Sequence, residues 1–153
     1  MTHPLGDDSD REYAFLCGLS GYVAAVSAAM GVGEESCTTD VNPPFSAYIA
    51  LETRLPQHPD RDVALLWDEH HGWAVAIETH SGEDLFIVAY AGVQLVPEPA
   101  RLSRFLAELS GGDVPVLTTA PELGGPEERL LTCLQRYRRD LWTAGAGRLS
   151  RKG

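Results

Sequence analysis

The stretch "LLWDEHHGWAVAIETHSGEDLFIVAY", residues 65–90, decides the fold. Short runs of β-branched and aromatic residues with a period of two are bounded there by Asp, His and Gly, the signature of strands joined by tight turns. "VALLWD" (63–68), "WAVAIET" (73–79) and "DLFIVAY" (84–90) give three strands, and "SAYIALET" (46–53) upstream gives a fourth. "EHHG" and "SG" are of hairpin size, with Gly72 and Gly82 free to adopt the positive φ that such turns demand. The natural assembly is a four-stranded antiparallel meander. With Ser81 and Gly82 as the last loop, Ile77 faces Phe86, Val75 faces Val88 and Trp73 faces Tyr90, leaving Ala74, Ala76, Glu78, Leu85, Ile87 and Ala89 on the other face.

Helical periods flank the sheet. Leu16, Leu19, Val23, Val26 and Met30 recur at alternating spacings of three and four, which predicts a helix over residues 10–30 ended by "GVG". A second stripe on it is small throughout: Ala14, Gly18, Gly21, Ala25 and Ala28. Glycine inside a helix costs up to ~1 kcal/mol against alanine, so the stripe points to close approach by another backbone, from a sheet, a helix or a second subunit. "EPARLSRFLAELSGG" (98–112) predicts a second helix. "PEERLLTCLQRYRRDLW" (126–142) predicts a C-terminal amphipathic helix, with Leu130, Leu134, Tyr137 and Leu141 on its stripe, Trp142 beside it, and Arg129, Arg136 and Arg139 turned away.

The fold class is therefore α+β. Residues 1–9 are expected to be disordered, with Ser9 or Asp10 capping the first helix, and 10–112 form one domain. Residues 113–125 are a Pro/Gly linker, 126–143 the C-terminal helix and 144–153 a disordered basic tail. At 153 residues, 44% apolar and 22% charged, the chain can bury a real core. Residues 22–30 are too short a run for a membrane span and lack a basic region before them, so a cytoplasmic protein without membrane contact is expected. Cys17, Cys37 and Cys133 lie far apart and read as reduced thiols. One lysine against eleven arginines points to a high-GC bacterial source.

The net charge of −10 is unevenly placed. Residues 1–128 hold 21 acids and 5 bases, whereas residues 129–153 hold 7 bases and 1 acid. The acidic body disfavours nucleic acid, and the basic end reads as a face folded back on that body rather than as an arm for an anionic partner.

Three of the five histidines fall in residues 65–85, with five carboxylates. Glu78 and His80 share a strand face and could take a metal with His70, His71 or Asp68 from the neighbouring turn. The turns place His70 and His71 at one end of the sheet and His80 at the other, ~15–20 Å away, so no metal and no cofactor is expected. Glu52 and Glu78 are the strand-borne carboxylates, each near a strand end, and no nucleophile elbow, phosphate loop or HExxH motif is present, so no catalytic residue is assigned.

Residues 47–92, and "LLWDEHHGWAVAIET" above all, resemble an uncharacterised family of small actinobacterial proteins, a domain of unknown function. The resemblance implies one domain and carries no functional residue. The leading expectation is a non-catalytic protein-binding or regulatory module. It would act as a homodimer through Gly18, Gly21 and Ala25 or the alanine face of the sheet, with Leu134, Tyr137, Leu141 and Trp142 as a further contact surface. The alternative is a small-ligand-binding protein or enzyme, using a pocket between the first helix and the sheet with Glu78, His80 and Tyr90 at its rim.

Overall fold

The structure, a computed structural model, describes residues 4–79, 84–92, 94–112 and 115–139. Helix α1 (Pro4–Met30) is followed by a 3-10 turn at Glu34–Ser36 and then by strands β1 (Cys37–Asp40), β2 (Ser46–Leu51), β3 (Val63–Asp68), β4 (Gly72–Glu78) and β5 (Leu85–Tyr90). Helices α2 (Pro99–Gly111) and α3 (Glu127–Gln135) complete the chain. The fold is α+β, and the sheet is an antiparallel meander in the order β1-β2-β3-β4-β5.

Five strands stand where four were expected. β1 lies between the end of α1 and β2, where no strand was expected, paired with β2 through Cys37 and Ile49 at one end and Asp40 and Ser46 at the other. Its "CTTD" has no apolar alternation to reveal it, and tertiary pairing makes it a strand. Helix α1 starts at Pro4, six residues before the expected boundary, so Ser9 lies within it rather than capping it. Proline fits a first helical turn, where its missing N–H has no partner to lose.

The last hairpin departs from the simple register at one point. Ile77 does face Phe86, but Val75 faces Ala89 and Ala74 faces Tyr90, with a register shift between Val75 and Ala76. Val88 is the extra residue of a β-bulge. The bulge brings Ala89 to the face occupied by Val75 and carries Tyr90 to the opposite one.

Helix α1 covers the face bearing Ile49, Leu65, Trp67, Trp73 and Val75, each at most 2% exposed, and offers Phe15, Leu19, Tyr22, Val23 and Val26 to it. By length and composition residues 10–30 would also suffice to cross a membrane, yet half of that span is buried inside the molecule. The Tyr22 hydroxyl donates to the Pro97 carbonyl and accepts from the Trp73 indole N–H, which pins α1, β4 and the approach to α2 together. Trp67 Nε1 donates to the Leu95 carbonyl at 2.8 Å and fixes the same segment one strand over.

Candidate functional site

Among the described residues, the large side chains of α1 and of the sheet pack against each other in one core where the pocket was expected. Glu78 and Tyr90 fall at opposite ends of the face away from α1, since Glu78 pairs with Leu85 and Tyr90 with Ala74. The Glu78 carbonyl is taken by Arg61 Nη1 at 3.0 Å, and the Tyr90 N–H by the Leu117 carbonyl at 2.8 Å. The two residues do not assemble a site, and His80 lies outside the described residues.

The small stripe of α1 meets another backbone, as its glycines require, and that backbone belongs to the same chain. A Cβ on Gly18 would lie 2.9 Å from Leu134 Cβ, and one on Gly21 would lie 1.8 Å from the Tyr137 carbonyl oxygen. Gly18, Gly21, Leu134 and Tyr137 are thus core contacts and not a surface open to a second subunit. Ala25 stays half-buried on α1. Helix α3 ends at Gln135, short of the expected 142, and the chain turns so that Arg139 N–H reaches the Cys17 carbonyl at 3.4 Å. Arg139 Nη2 also donates to Ser20 Oγ at 2.9 Å and to Glu34 Oε1 at 2.6 Å. Leu141 and Trp142 lie outside the described residues.

Docking α3 on α1 beside α2 creates a cleft that neither helix has alone. Its cavity of about 750 Å³ lies between α2 and α3 and has Arg101 and Arg104 on one wall and Arg129 and Arg136 on the other. Arg101 and Arg104 are spaced i, i+3 on α2, and Arg129 on α3 is followed seven residues on by Arg136, which caps that helix in αR geometry, so each pair projects from one helical face. Leu95, Val96, Leu130 and Tyr137 give it apolar surface, and the exposed thiol of Cys133 opens into it. Glu98 is the only acid among the lining residues, 3.9 Å from Arg136 with both side chains 69% exposed, a pairing too solvated to neutralise the wall. Among the described residues Arg101, Arg104 and Arg129 form no ion pair. A third of the chain's basic residues therefore line one concavity of a protein with net charge −10.

A second cavity of about 510 Å³ abuts the first along Leu95, Gly125 and Leu130 and has the opposite character. Glu69, Glu122 and Glu127 line it together with His70 and His71 of the β3–β4 turn. The turn is held from both sides. Asp68 Oδ1 accepts the backbone N–H of His70 and of His71, each at 2.8 Å, and His71 Nδ1–H donates to the Pro121 carbonyl at 2.9 Å. The His70 carbonyl accepts from the Leu123 and Gly124 N–H groups, so the linker is strapped to the hairpin. Glu127 is shared with Arg11 at 3.5 Å. The histidines thus serve as turn residues fixed by backbone contacts.

Spacing placed Arg129 and Arg136 off the apolar stripe of α3, but no local signal says that they face Arg101 and Arg104. That depends on where α3 docks, and the one sequence clue to it was the pair of glycines on α1.

The family of unknown function DUF6292 matches residues 22–108, more than half of the chain, and the chain belongs to that family. The matched span holds the last third of α1, the whole sheet and most of α2, and stops before α3. No curated protein and no solved structure matches the chain.

Proposed function

We propose that this member of the family is a non-catalytic binding module that receives an acidic segment of a protein partner in the cleft between α2 and α3. The observation that supports it is the convergence of Arg101, Arg104, Arg129 and Arg136 on one concave surface of an otherwise acidic chain. Guanidinium groups pair with carboxylates in bidentate fashion, and several on facing walls select for a ligand with several carboxylates. The surrounding acidic body steers away long polyphosphates, which favours a protein segment over nucleic acid. The single lysine against eleven arginines supports an actinobacterial source.

The test is the binding of a rhodamine-labelled heptaglutamate peptide by fluorescence polarisation at two ionic strengths. Wild type should bind with an affinity that falls as salt rises, and the Arg101→Glu/Arg129→Glu double variant should not bind. Equal affinity for both proteins would overturn the reading.

The module is further proposed to work as a pair of copies joined through the sheet face away from α1. That face centres on Ala50, Ala64, Ala74 and Ala76, with Tyr48, Leu66 and Ile87 around them, all in register across β2 to β5. Ala64, Ala74 and Ala76 are at most 3% exposed within one copy, so a second copy would meet the half-buried Tyr48, Leu66 and Ile87, and a two-fold pair is the commonest way to cover such a face. Light scattering at high concentration tests it, and a monomer there would refute it.

A further inference from the structure

The cleft continues past its arginine walls. Along the shared floor of Leu95, Gly125 and Leu130 it opens into the cavity with Glu69 and Glu122. Either cavity alone falls within the ~300–1,000 Å³ of an ordinary small-molecule site, but the two joined make a trough longer than a compact ligand fills. Its charge changes sign from one end to the other. A polyphosphate or a purely acidic segment would satisfy the arginine end and be repelled at the glutamate end. Opposite charges along an interface fix the register of what binds there.

We infer that the trough takes an extended peptide segment of dipolar sequence. Its carboxylates lie against the arginines of α2 and α3, an apolar stretch lies over Leu95 and Leu130, and its basic residues lie against Glu69 and Glu122. The inference rests on the binding-module reading above and adds to it the class of segment and the direction in which it lies. Both ends belong to rigid elements. The arginines stand on two helices packed on α1 and on the residue that caps α3, and Glu69 stands on a turn held by Asp68 and by the linker. The rigidity preserves the separation of the two charges in the free protein, so little ordering of the site opposes binding.

The experiment compares four rhodamine-labelled twelve-residue peptides on the full chain. Two carry a block of glutamates at one end and of lysines at the other, in the two chain directions, with an Ala/Leu spacer. The third is a scramble of the same composition, and the fourth keeps the glutamates but has alanine for lysine. One block peptide should bind about 10-fold more tightly than the scramble and the acid-only peptide, a difference of the size that complementary charge pairs supply. It should also slow modification of the exposed Cys133 thiol. Glu69→Gln/Glu122→Gln should weaken that block peptide several-fold and leave the acid-only peptide unchanged, while Arg101→Glu/Arg129→Glu should abolish both. All four substitutions are at exposed or turn positions, and thermal melts verify that the variants fold. If the acid-only peptide binds as well as either block peptide, the dipolar inference fails and the binding-module reading survives. If no peptide binds, both fail.

Discussion

The carbonyl oxygen of Tyr137 lies where a side chain on Gly21 would begin, 1.8 Å from the position of a Cβ. Two backbones come that close only when one lacks a side chain, so this contact sets how deeply the C-terminal segment sits on α1. The same docking forms the arginine cleft.

Gly21→Ala should therefore destabilise the protein even though alanine is the better helix former by ~1 kcal/mol. Overpacking of this kind costs ~1–3 kcal/mol or more, and each kcal/mol lowers the melting temperature by ~2–4 °C in a chain of this size. Gly18→Ala, which would meet Leu134 Cβ at 2.9 Å and the Leu134 carbonyl oxygen only at 3.3 Å, should cost less. Thermal unfolding ranks the three proteins, and a Gly21→Ala variant at least as stable as wild type would show that the segment does not dock as described.

Deleting residues 126–153 removes the cover from Gly18 and Gly21 and takes away Leu130 and Leu134, buried to 5% and 1% exposure. Each such side chain contributes ~1.5–3 kcal/mol when fully withdrawn from water. The truncated chain should bind an apolar fluorescent dye more strongly and melt earlier. Unchanged dye binding and melting would place the stabilising contacts elsewhere. Salt should loosen docking only slightly, since the Arg11–Glu128 and Arg139–Glu34 pairs are partly exposed and the apolar contacts are indifferent to screening.

Tyr22→Phe keeps the ring and removes the hydroxyl that bridges Trp73 and Pro97. An indole N–H and a carbonyl are then left buried, at ~1–3 kcal/mol for each group without a partner. Denaturant unfolding measures the loss, and a change below ~0.5 kcal/mol would mean that water or a local shift replaces the bond.

The same hydroxyl gives an alkaline signature. Burial, partly offset by the Trp73 hydrogen bond, raises the Tyr22 pKa well above the ordinary tyrosine range. The unfolded chain loses this proton near pH 10 and the folded chain keeps it, so the stabilisation is complete below pH ~10 and declines as pH rises beyond it. Stability measured across pH 9–11 should fall less steeply in Tyr22→Phe than in wild type. Parallel slopes would exclude Tyr22 as a source.

Leu66→Glu places a charge at the middle of the sheet face away from α1, where Leu66 is half-buried between Tyr48 and Ala74 in register. If two copies pair through this face, the variant should scatter as a monomer while its circular dichroism is unchanged. A variant that keeps the wild-type assembly state would move the interface elsewhere.

The sequence by itself determined the elements whose apolar pattern is local. Alternation in "VALLWD", "WAVAIET" and "LFIVAY" marks β3 to β5, the three-and-four spacing marks α1, and Pro99 with Gly112 brackets α2. It also determined that some backbone must touch α1 at Gly18 and Gly21, because glycine is otherwise a cost there. Tertiary structure decided which backbone that is. It made a strand of the polar "CTTD", inserted Val88 as a bulge that carries Tyr90 to the face opposite Trp73, and stopped α3 at Gln135 so that Arg139 could turn back to Cys17 and Glu34. It also packed α1 directly on the sheet and opened a cleft among arginines contributed by α2, α3 and the cap of α3. Periodicity reports which face of an element is apolar; only the long-range packing of α3 on α1 decides which charged faces meet across the remaining gap.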